Sequence, residues 1–186
     1  MGNKAAVIIG PGAMYIAPTA TLFPDVNVEV STIPAWIALG YTEDGASLEI
    51  DPTFADVEVA EEVDPLFTLM TARKMQMVTT LAESTLVNLQ FVFGGGTITP
   101  DVGPPEIDTY VPPDSTTFGT YALLYRTDFN DVGAALVRQY QIPEVNSVGA
   151  FTVPHRKSPE KTVTIATFKA IKPATGDILS IVNQTA

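Results

Sequence analysis

The chain has 186 residues, enough for one domain that buries roughly 70% of the surface its unfolded form exposes. A hydrophobic content of 46% and a mean hydropathy of +0.21 exclude a chain disordered throughout. With 21 acids against 10 bases, a formal net charge of −11, the chain is not built to grip nucleic acid by neutralising phosphates, and without cysteine it has neither disulfides nor zinc–thiolate sites.

The chain starts Met1-Gly2-Asn3-Lys4 and continues into Ala5-Ala6-Val7-Ile8-Ile9-Gly10. That apolar run is too short for a signal peptide, and Pro11 and Gly12 interrupt it. Ala6 stands where a myristoylation pattern needs Ser or Thr. No apolar run is long enough to span a bilayer, so a soluble, unprocessed chain is expected. Residues 1–35 carry Pro11, Pro18, Pro24 and Pro34, with apolar patches at Val7-Ile8-Ile9 and Met14-Tyr15-Ile16. Proline interrupts long helices and central strands, which predicts an extended arm with apolar anchors.

The folded body is expected to begin at Trp36, with a first strand over residues 36–41. Glu43-Asp44-Gly45 supplies turn chemistry. Ser47-Leu48-Glu49-Ile50-Asp51 alternates, setting Leu48 and Ile50 against Glu49, and Pro52 ends that strand. Asp56-Val57-Glu58-Val59 alternates again, and residues 60–65 read as loop. Val63, Leu66, Phe67, Leu69 and Met70 fall in or beside that loop. A monomer would need a local core to hide them, whereas an assembly would bury them against a neighbour.

Residues 74–81 form the next predicted strand, with Lys74 and Gln76 on one face and Met75, Met77, Thr79 and Leu81 on the other. Ser84 is placed to cap a short helix that packs through Leu86, Leu89, Val92 and Phe93 and ends at Gly94-Gly95-Gly96. Residues 97–118 hold five prolines among acids and predict an exposed loop. Strands follow over 121–127, 134–141 and 162–169, with a hairpin turn at Asn130-Asp131-Val132-Gly133. Shorter ones are expected over 148–153 and 178–182. The expected class is mainly antiparallel β, a sandwich or partial barrel with one flanking helix and extended arms.

The chemistry-bearing motifs are incomplete. Val7-Ile8-Ile9-Gly10-Pro11-Gly12 lacks the third glycine of a dinucleotide fingerprint, since Tyr15 stands there. No Lys-Ser/Thr follows Gly94-Gly95-Gly96, so it is not a phosphate loop. One histidine, His155, and no nucleophile elbow leave little for nucleophilic catalysis. The acids Asp51, Asp56, Glu58, Glu61, Glu62 and Asp64 do not match a calcium loop and read as a solvated or lumen-facing face. Asn183-Gln184-Thr185 fits a glycosylation pattern, although nothing points to secretion. No enzyme and no cofactor are expected. A second reading is a carbohydrate-binding β-sandwich of a phage fibre or cell surface, with Trp36, Tyr41, Tyr121 and Tyr125 as stacking rings. The charged fraction of 17%, against about 25% in ordinary domains, suits either a surface partly covered by neighbours or a β domain with Thr and Asn on its wet face.

Several stretches occur in an order that resembles the major tail tube protein of long-tailed, non-contractile bacteriophages, the type found in phages of actinobacteria. They are residues 10–18, 36–45, 56–65, Leu81-Ala82-Glu83-Ser84-Thr85 with Asn88-Leu89, and 156–168. The resemblance implies a virion subunit, assembled in the host cytoplasm, that forms hexameric rings stacked into a tail tube. It implies a lumen through which the DNA genome passes without specific binding, and tape measure, tail terminator and distal tail proteins as partners. The parts it implies are an N-terminal arm (1–35), a β domain (36–172) containing the Pro-rich loop (97–118), and a C-terminal arm or edge strand (173–186). Contacts between subunits or rings are expected at Val7, Ile9, Met14, Tyr15, Ile16, Val63, Leu66, Phe67, Leu69 and Met70. Glu49, Glu58, Lys74 and Gln76 are the candidate lumen-facing residues.

Overall fold

Period-two alternation organises most of this chain, and a computed structural model describes residues 12–58, 60, 64–114, 118–131, 134–149, 152–153 and 162–184, with backbone only at 128–131 and 134–135. In chain order the strands are β1 (Gly12–Pro18), β2 (Ile37–Ala38), β3 (Thr42–Val57), β4 (Phe67–Leu81), β5 (Thr97–Asp101), β6 (Ile107–Val111), β7 (Tyr121–Asp131), β8 (Ala134–Ser147), β9 (Thr164–Ala170) and β10 (Ser180–Asn183). One helix, α1 (Leu86–Val92), lies between β4 and β5. The main sheet runs β2-β1-β7-β8-β9-β4-β3, β10 pairs with β8, and β5 with β6 makes a separate two-stranded sheet. Every pairing is antiparallel. Among the described residues the fold is mainly antiparallel β with one α-helix, as the sequence predicts.

The main core cluster gathers Met14 and Ile16 of β1, Leu123 of β7, Ile142 and Val145 of β8, Met75, Met77 and Leu81 of β4, and Phe168 of β9. Strands far apart in the sheet order share these contacts, so the sheet folds over on itself like a sandwich. Strand β9 makes the pattern plain: Thr164, Ala166, Phe168 and Ala170 are buried, while Ile165 and Lys169 are exposed. Burying a side chain such as Phe168 contributes about 1.5–3 kcal/mol. Helix α1 adds Phe91 and Val92 to the core. Its N-cap is Thr85, one residue beyond the expected Ser84, and the Thr85 hydroxyl accepts the Asn88 N–H at 3.1 Å. Replacing Thr85 with Ala should cost about 1 kcal/mol, read as a lower urea midpoint at unchanged slope.

The arm expected over residues 1–35 is corrected for its described part. Strand β1 lies between β2 and β7 and is buried on both faces. Tyr15 and Ala17 enter a second cluster with Ala122, Leu124, Val30 and Trp36. The connector from 19 to 36 covers that face; Trp36 Nε1 donates to the Leu22 carbonyl at 3.2 Å, and the Arg126 guanidinium donates to the Val28 carbonyl at 2.6 Å. Pro18 is the last residue of β1 and Pro11 directly precedes it, so the prolines bound a seven-residue strand instead of preventing one.

Other expectations shift for similar reasons. Glu43-Asp44-Gly45 is no terminal turn but lies inside β3, at a register irregularity between Thr42 and Ala46, with Gly45 at φ +79. The strand expected over 36–41 shrinks to β2, and Gly40 turns the chain at φ +76. Pro52 does not end a strand; it sits within β3 opposite Arg73. A terminal strand tolerates proline because its outer side has no ladder to break. The Pro-rich stretch contains the β5–β6 hairpin, held by Tyr110, whose ring stacks on Phe93 and whose hydroxyl donates to the Gly95 carbonyl at 2.7 Å. Strand β8 runs through Pro143 to Ser147, with the proline at an irregularity in the β7 pairing.

Burial raises the phenol pKa of Tyr121 and Tyr125 above the ordinary 10.0. A raised folded value means the stabilisation is whole below the unfolded value and is lost as pH rises through the folded one. Stability should therefore hold up to about pH 10 and fall above it, and Tyr121→Phe should flatten that fall. Urea midpoints across the alkaline range check both.

Candidate assembly interface

The β3–β4 hairpin continues well past the body of the protein. Near its base, Leu48 pairs with Met77 and Ile50 with Met75, and both methionines enter the core. Beyond that point pairing persists from Asp51↔Lys74 to Val57↔Phe67, yet side chains on both faces are exposed. The seven residue steps from Ile50 to Val57 extend the arm by roughly 23 Å, at about 3.3 Å per residue. Backbone closes the tip, where the Leu66 N–H donates to the Val57 carbonyl at 2.9 Å. The Thr68 hydroxyl donates to Asp56 Oδ1 at 2.6 Å. An extra residue in β4, Thr71, bulges between the pairs Thr53↔Ala72 and Phe54↔Met70 and donates to the Thr53 carbonyl at 3.2 Å.

The arm carries large apolar side chains on both faces. Phe54 is 58% exposed, Leu66 54%, Phe67 53%, Leu69 51% and Met70 55%. Alternation along β3 sets Phe54 on the face of Ile50, with Met70 as its partner, while Leu69 and Phe67 oppose Ala55 and Val57 on the other. A two-stranded ribbon gains little stability alone, and exposed apolar surface of this kind marks a contact site. Among the described strands β3 is also the last of its sheet, so no neighbouring strand lines its outer edge.

Of the expected contact residues, Leu66, Phe67, Leu69 and Met70 come together on this arm, as β4 and its approach and not as the loop the sequence predicted. Met14, Tyr15 and Ile16 do not belong to an exposed surface: they are 1%, 8% and 0% exposed in the chain's own clusters. Val7, Ile9 and Val63 lie outside the described residues. Phe54 was missed, although Asp51-Pro52-Thr53-Phe54-Ala55-Asp56-Val57 continues the alternation once Pro52 is not taken as a stop.

Glu49, Lys74 and Gln76 share one face, opposite Leu48, Met75 and Met77. Gln76 Nε2 donates to Glu49 Oε2 at 2.7 Å. Asp51 opposite Lys74 and Lys169 opposite Gln76 extend that face, so it balances Glu49 and Asp51 against two lysines and is not an acidic wall. Glu58 does not join it. It follows the end of β3 nine positions after Glu49, an odd separation, and unbroken alternation assigns the two acids to opposite faces.

The proposed sugar-stacking rings do not form a platform. Trp36 is 5% exposed, Tyr121 and Tyr125 pack against the main core, and Tyr41 is 79% exposed. Among the described residues no group of three or more His, Asp or Glu side chains is placed to hold a metal ion. Among them, too, no helix is long and apolar enough to cross a membrane. A scan of protein-family models found no match to the chain, and a search of curated proteins found none either.

Proposed function

We propose that this chain is a structural subunit of a phage tail tube, whose copies join into hexameric rings that stack around a channel for DNA. One observation carries the reading: a long β arm, apolar on both faces, stands free of the chain's own core. A monomer gains nothing from such an arm, whereas a neighbour that covers it removes its apolar area from water at about 25 cal/mol per Å². The order of sequence stretches that resembles tail tube proteins points to the same kind of assembly.

In this reading the Glu49–Asp51–Lys74–Gln76 face lines the channel. Each lysine there faces an acid or lies beside a Glu–Gln pair, so the surface offers few free cations to phosphates. The subunit works in the virion tail, beside tape measure, terminator and distal tail proteins. Purified protein should form rings or rods under negative-stain microscopy. A strictly monomeric species at high concentration and every salt condition overturns the proposal.

A further inference from the structure

An open groove of about 690 Å³ lies where the arm leaves the body, between the hairpin base and the segment 172–179. Its walls include Ile50, Met70, Met75, Ile178 and Leu179. Arg73 and Lys172 supply two exposed cations at its rim, against one acid, Asp177. The Lys172 ammonium donates to the Gly176 carbonyl at 2.6 Å, which holds the 172–176 turn on that side of the groove. A volume in this range, roughly 300–1,000 Å³ for typical binding sites, holds several large side chains.

The end of the arm has the complementary chemistry. Leu66 and Phe67 are more than half exposed, and the exposed acids Glu58 and Asp64 flank them. Paired β structure carries the end of the arm from Met70, the groove's outermost wall residue on β4, three further residue steps to Phe67, roughly 10 Å at about 3.3 Å per residue, in the direction away from the body. The tip therefore reaches this groove only on another molecule.

Resting on the assembly reading above, we infer that the groove receives the arm tip of a second copy, with Leu66 and Phe67 against Ile50, Met70, Ile178 and Leu179 and with Glu58 and Asp64 toward Arg73 and Lys172. The two surfaces are different patches of one chain. The contact is thus heterologous, each copy giving a tip and receiving one, which generates closed rings or open stacks and not a two-fold dimer. Like charges placed across such a contact oppose it, so paired charge reversals identify its partners.

The test uses two variants of the full chain, Arg73→Glu/Lys172→Glu in the groove and Glu58→Lys/Asp64→Lys at the tip. Circular dichroism should give both the wild-type fold, because all four positions are exposed. Alone, each variant faces like charge and should sediment as single subunits. Mixed one to one, every tip meets a groove of opposite sign, and particles of wild-type size should return under negative stain. If either variant assembles alone as well as wild type, the inference fails. It also fails if wild type assembles while the mixture stays dispersed. A wild-type chain that never assembles overturns the tube reading itself.

Discussion

Leu66→Asp or Phe67→Asp will stop assembly while leaving the subunit folded. Both side chains are more than half exposed in the isolated chain, so the fold loses no core contact there. Surface changes of this sort usually move stability by no more than about 0.5 kcal/mol. The same aspartate at a covered contact is a buried, unpaired charge, which costs about 2–5 kcal/mol. That weakens each contact by about thirtyfold to several thousandfold, and the loss repeats at every copy in a ring. Thermal unfolding by circular dichroism should match wild type, while negative stain and sedimentation should report dispersed subunits. Normal particles from both variants would remove the arm from any interface.

The opposite pattern is expected at Ile16, which the structure places at 0% exposure in the main core. Ile16→Ala removes buried methyl and methylene groups and leaves a cavity, at a cost of about 2–5 kcal/mol. For a chain of this size each kcal/mol lowers the melting temperature by roughly 2–4 °C. The loss should appear in the dispersed subunit, before any question of assembly. An anchor on a free arm would behave in reverse, with the melting temperature of the subunit unchanged and assembly lost. Unaltered subunit stability in Ile16→Ala would therefore restore the arm reading and contradict the pairing of β1 with β7.

The contrast between these variants separates two apolar patches that look alike in the sequence. Met14-Tyr15-Ile16 and Leu66-Phe67-Thr68-Leu69-Met70 both sit near prolines, and both suggest an anchor for a neighbour. The first finds its partners more than a hundred residues away, in Leu123 and Leu124 of β7. The second pairs only with residues 54–57, its neighbours across a hairpin, and those bring no core with them. Likewise Glu49 and Glu58 each alternate locally with apolar residues, but their relative face depends on whether Pro52 breaks the strand.

From the sequence alone came the β-rich class, the strands around residues 74–81, 121–127 and 162–169, the short helix and its glycine stop. These signals are local: period two, a hydroxyl cap one residue from the expected one, and Gly94 at φ +75. Tertiary structure alone decided that β1 is a buried strand, that β3 passes through Pro52, and that the arm and its groove stand apart. Each of those outcomes depends on which distant strand, if any, lies alongside, and long-range pairing leaves no mark in the spacing of neighbouring residues.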